Sequence, residues 1–149
     1  MNANDRGLNS AWWALRIGLG VGPFLAGLDK FFNILTDWSM YLSPMVEGML
    51  PISGTAFMQV VGVIEMLVGL AILTRWTRLG SYVAAGWLVA ISINLVTTGL
   101  FLDLAVRDLE IAIAAYTLAR LTEARQPAGA TQSMSLLEAV GLRRRRSAT

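Results

Sequence analysis

The 149-residue sequence contains no cysteine and no histidine. Disulfides, thiol chemistry, zinc centres of the usual ligand types and histidine-ligated haem are excluded from this chain acting alone. Any redox role has to use an electron carrier supplied from elsewhere. Charge is also scarce: 15% of residues are charged and 55% hydrophobic, with a mean hydropathy of +0.57. Soluble domains carry roughly 25% charged residues, so this composition points to a membrane chain. Lys30 is the only lysine, and the net charge of +2 hides an uneven spread, with Arg143, Arg144, Arg145 and Arg146 clustered near the end. No basic stretch is interleaved with aromatics, which argues against a nucleic-acid partner.

What the chain does have is four apolar segments, near residues 11–34, 55–73, 79–98 and 103–121. At about 1.5 Å of rise per residue, each can cross a hydrocarbon layer of about 30 Å as a helix. Pro44, Pro51 and Gly54 precede the second segment, Arg75 and Arg78 follow it, and Gly99 separates the last two. The short connections 74–78 and 99–102 predict that the last three helices are successive antiparallel neighbours. The expected fold is all-α, an integral membrane four-helix bundle over residues 11–121.

Residues 1–10 read as a polar leader without a small-residue cleavage site, so the first span is expected to stay as a helix. Residues 36–54 form an amphipathic outer loop with Trp38, Tyr41, Met45 and Met49, expected on the membrane surface as a short helix or re-entrant piece. Residues 122–149 form a basic tail in which an apolar turn precedes Arg143 to Arg146, a pattern suited equally to a lipid-headgroup anchor and to a disordered tail. Arg6, Arg75, Arg78 and the tail fall on one side, and Asp37, Glu47 and Asp103 on the other. The positive-inside rule then places both termini in the cytoplasm.

Charges within membrane helices cost about 2.5 to 3.5 kcal/mol each on insertion scales, so they face protein or a cavity. Glu65 stands mid-span, with Gly62 and Gly69 three residues before it and four after, on the same helical face. Those glycines let another helix approach, which turns Glu65 into the bundle. Arg16, about 7 Å inside the first helix by rise, is the expected partner of Glu65, with Asn94 as a competing donor. Gly18 and Gly22 are expected to make the first helix a close-packing element as well. Nearer the outer face lie Asp29, Lys30 and Asn94, and Asp103, Arg107 and Glu110 share a helical face on which they can pair. The candidate intramembrane site is thus Arg16, Lys30, Glu65, Asn94, Arg107 and Glu110. Two readings stay open: these groups are interhelical glue, or they frame a cavity for a polar head such as a quinone.

The order of motifs resembles the DoxX/DoxD family of small four-helix bacterial membrane proteins. It runs from Arg16 and Gly27-Leu-Asp-Lys30-Phe, through Leu50-Pro51 and Gly62-x-x-Glu65-x-x-x-Gly69, to Arg107-Asp108-Leu-Glu110. The resemblance covers roughly residues 12–121, and it implies a multi-pass protein of the bacterial inner membrane in a respiratory or redox-linked setting. It makes Arg16, Lys30 and Glu65 the characteristic polar set, and at Arg107-Asp108 the family often shows a lysine or other polar residue instead. The function it implies is an accessory or quinone-interacting subunit of a membrane redox complex, with no catalytic residue, metal or covalent cofactor of its own. Its partners are then membrane lipids and other membrane subunits. The alternative is a structural or assembly subunit without a ligand.

Overall fold

The computed structural model describes residues 3–125, which form four long helices and two short ones, with no strand among the described residues. The long helices are α1 (Ala3–Asp29), α3 (Gly54–Leu73), α4 (Thr77–Thr98) and α5 (Leu102–Arg125). Between α1 and α3 lie a 3-10 turn (Trp38–Tyr41) and α2 (Pro44–Glu47). The basic tail with Arg143 to Arg146 lies outside the described residues.

The helix ends differ from the sequence expectation in ways that local chemistry explains. Residues 3–10 are not a leader apart from the bundle but the first turns of α1. At the other end α1 stops at Asp29 rather than near residue 34. The Asp29 carboxylate accepts the backbone N–H groups of Ile34 and Leu35, both at 3.1 Å, and Asn33 takes a left-handed φ of 51°. An aspartate that bonds the following backbone competes with helix continuation. At the start of α3, Ser53 accepts the Ala56 N–H as an N-cap, and α4 ends at Gly99 with φ 70°, a left-handed cap that glycine adopts without a side-chain clash.

Three helical segments, Asp5–Asp29, Gly54–Leu73 and Thr77–Thr98, are long and apolar enough to cross a membrane. α5, at 24 residues, has the length but carries Asp103, Arg107, Asp108 and Glu110 in its first turns. Its charge content, not its reach, separates it from the others.

The bundle is built from two intimate pairs, α1 with α3 and α4 with α5, with looser contact between the pairs. Glycines set the first pairing. A Cβ at Gly62 would stand 2.5 Å from the Gly27 carbonyl oxygen, and one at Gly69 equally close to that of Gly20. Both glycine pairs are seven residues apart, so two antiparallel helices meet at both points in a single register. At the end that carries the α1 start, the α3–α4 turn and the α5 finish, Trp12, Leu19, Val68, Ile72, Ala84, Ala115 and Leu118 form a closed apolar core. Trp12 Nε1 donates to Thr122 Oγ1 at 2.8 Å, and Arg125 to Asn9 Oδ1 at 2.6 Å, tying α1 to α5 there.

The 36–54 loop does form a short helical piece, and it folds onto the opposite end. Leu42 is buried against Met58 and Val61, with Trp38, Val46 and Trp87 around them, while Met45 and Met49 remain exposed.

Candidate functional site

Beneath this loop the four long helices surround a half-open cavity of about 670 Å³. Its walls are largely apolar, including Leu19, Pro23 and Ala26 of α1, Val61 and Val68 of α3, Leu88 and Ile91 of α4, and Ile111 of α5. Four charged side chains and one amide punctuate them: Lys30, Glu65, Arg107 and Asp108, with Asn94.

The Glu65 partner is Lys30, not Arg16. Lys30 Nζ lies 2.5 Å from Glu65 Oε2, with both side chains almost wholly buried. The glycine register explains why. Arg16 lies four residues before Gly20, so it falls level with Leu73, four residues after Gly69. There its guanidinium donates to the carbonyls of Ile72 (3.0 Å), Leu73 (2.7 Å) and Thr74 (2.6 Å). Those are carbonyls that the end of α3 leaves without helical partners, and a cation suits that end of the helix dipole. The same guanidinium lies over the rings of Trp12 and Trp13. Arg16 closes the basic end and has no place in the cavity.

Lys30, by contrast, starts beside Gly62, whose missing side chain gives the lysine stem its path toward Glu65. Above the ammonium sits the Trp38 ring, with Nζ 3.8 Å from the ring centroid. The indole is held there because Trp38 Nε1 donates to Asp29 Oδ2 at 2.8 Å. One carboxylate thus ends α1, orders the turn after it and holds an aromatic lid over the ion pair. Buried pairs survive only with good geometry and further compensation, and this lid supplies a cation–π contact.

The other candidates divide. Asn94 is no donor to Glu65: Nδ2 donates to the Tyr41 carbonyl at 2.7 Å and Oδ1 accepts the Ser43 N–H at 3.1 Å. It pins the loop to α4. Arg107 lies at the cavity edge, its side chain 61% exposed, and its ion-pair partner is the adjacent Asp108 at 3.7 Å rather than Asp103 or Glu110. Glu110 is exposed and does not line the cavity. Gly62 and Gly69 are packing positions as expected, but Gly18 and Gly22 are not: a Cβ at either would meet nothing, and both lie in the cavity wall. Gly20 and Gly27 take the packing role instead.

Three contributors lie outside the set of candidate site residues read from the sequence. Asp108 is buried and within electrostatic range of both Lys30 and Glu65. Trp38 forms the lid. Trp87 lines the cavity from α4, and its buried Nε1–H has no hydrogen-bond partner. A signal for Trp87 was available: it sits at the middle of α4, whereas membrane tryptophans concentrate at the interfaces.

The geometry can hold a ligand with an apolar body and a small polar head, since about 300 to 1000 Å³ is the usual size of small-molecule sites. No metal-binding group of acidic residues occurs among the described residues. No protein-family model, curated protein or solved structure matches the chain.

Proposed function

We propose that this is a DoxX-like protein of the bacterial inner membrane that binds a quinone-type amphiphile as an accessory subunit of a membrane redox complex. The observation that carries the reading is the apolar cavity with the Lys30–Glu65 pair in its wall and a free indole N–H beside it. A purely structural ion pair needs no surrounding space, whereas this one borders a volume sufficient for a substituted ring and part of its tail. When bound, a quinone supplies the electron chemistry that a chain without cysteine or histidine lacks. The chain supplies an apolar enclosure and fixed donors. In this reading α5 is the fourth spanning helix, its Asp108 turned inward, and the arginine-rich end faces the cytoplasm.

The test is purification in mild detergent followed by mass spectrometry of extracted lipids. Wild-type protein retains quinone, and folded Glu65→Gln retains less; equal quinone content in the two overturns the proposal. A second reading, an assembly subunit, draws on the shallow groove where Ala85, Gly86 and Ala112 leave room for another helix. It predicts a stoichiometric partner protein in the same preparation and no quinone.

A further inference from the structure

Resting on the quinone-type reading of the cavity, we infer that the site selects an uncharged, carbonyl-bearing head, held by the Trp87 indole N–H, and rejects anionic amphiphiles of similar length. Two observations lead there. The first is charge balance. Lys30 is paired with Glu65 and Arg107 with Asp108, so the ionic groups at the cavity already compensate one another. A fatty-acid carboxylate or lipid phosphate would add an unbalanced charge against the apolar walls of the cavity, where unpaired charges are disfavoured. A neutral carbonyl adds none.

The second is hydrogen-bond supply. Trp87 Nε1 is buried and unpartnered, although buried polar groups are nearly always bonded. The protein acceptor that the indole approaches is the Glu65 carboxylate, but the approach falls outside hydrogen-bonding geometry, and Glu65 Oε2 is engaged by Lys30. An indole nitrogen donates and cannot accept, so the group that would complete this donor is a ligand acceptor such as a carbonyl oxygen. The Lys30 ammonium adds donor capacity, since it has three N–H bonds and hydrogen-bonds one protein atom while Trp38 covers it from above. The wall therefore offers donors to an acceptor-rich, neutral head, and the long apolar remainder accommodates a tail.

The experiment titrates the full-length protein in detergent with a short-tailed benzoquinone, following quenching of tryptophan fluorescence. Trp38 also lines the cavity, so the signal survives loss of Trp87. Trp87→Phe keeps most of the ring bulk and removes the N–H. We expect saturable quenching in wild type, about tenfold weaker binding in Trp87→Phe, in line with the loss of one buried hydrogen bond, and no displacement by palmitate. Unchanged affinity in Trp87→Phe, or displacement by palmitate, overturns this inference while leaving quinone binding in place. Absence of saturable quenching in wild type instead removes the reading on which it rests. Asp108→Asn provides a second check. It upsets the charge balance without touching the indole, so palmitate should begin to compete; continued exclusion of palmitate counts against charge balance as the selecting principle.

Discussion

At the basic end of the bundle Ile72, Ala115, Leu118 and Ala119 are wholly enclosed by their neighbours, whereas at the acidic end the same helices part around a cavity. Each end also carries a cation at the junction of α1 and α3, and the two are used differently. Arg16 answers helix-end carbonyls with its fork of donors, a task that requires no buried acid. Lys30 answers a buried carboxylate beside open space. The difference teaches that charge inside an apolar bundle is not one phenomenon: one site finishes a helix, and the other borders a volume.

The largest effect should come from splitting the acidic-end pair. Lys30→Met leaves Glu65 buried without its counter-charge, a loss of about 3 to 5 kcal/mol for pairs of this kind. Adding Glu65→Leu should restore most of that stability, because removing both charges removes the desolvation cost with them. Thermal unfolding of the purified variants in detergent checks both steps. At the basic end Arg16→Met should cost less, as the freed carbonyls lie near the turn where water reaches them, and quinone retention should be unaffected. Equal losses at the two cations would erase the contrast.

A smaller effect separates the two kinds of glycine. Gly62→Val drives a side chain into the Gly27 backbone and should cost about 1 to 3 kcal/mol or more, since neither helix can shift without moving the other contact at Gly20 and Gly69. Gly18→Val meets open space and should leave the melting temperature close to wild type while narrowing the cavity and lowering quinone content. Stability should therefore fall in Gly62→Val and hold in Gly18→Val, where ligand content falls in a protein that remains folded. If Gly18→Val unfolds the protein as readily as Gly62→Val, the cavity wall is a packing surface after all.

Much of this architecture was legible in the residues. Apolar length and punctuation located the three helices long and apolar enough to cross a membrane, and the glycines around Glu65 told which way it faces. The register is legible too, though not in Gly18 and Gly22. Gly18 and Gly22 have the spacing of a close-packing motif, yet it is the seven-residue separation of Gly20 and Gly27 that matches Gly62 and Gly69. The expected Arg16–Glu65 contact rests on helical rise and side-chain reach, whereas the Gly20–Gly69 contact sets Arg16 level with Leu73. The end of α1 was hidden for another reason: Phe31, Phe32, Ile34 and Leu35 continue the apolar run, and only the side-chain bonding of Asp29 breaks the helix. The lid was illegible because it depends on a carboxylate and an indole nine residues apart meeting after a turn.

The smallest predicted effect concerns how that lid is seated. Asp37 caps the 3-10 turn that carries Trp38: its Oδ1 accepts the Ser39 hydroxyl at 2.6 Å and the Ser39 N–H at 3.0 Å. The hydroxyl bond, followed by the backbone bond, holds the Asp37 pKa below the ordinary carboxylate value. A depressed folded-state pKa means that the charged cap adds stability above the unfolded pKa, and that this contribution fades as pH falls through the folded value. Asp37→Ala should lower the melting temperature slightly, by an amount constant from about pH 7 to pH 5 and shrinking below about pH 4, the unperturbed aspartate range. Groups common to both proteins, Asp29 and Glu65 among them, cancel in that difference. A gap that persists undiminished in acid would show that Asp37 seats the loop by shape rather than charge. The contrast between the ends would then sharpen, leaving the Asp29 bond to Trp38 as the electrostatic tie that holds the lid over Lys30.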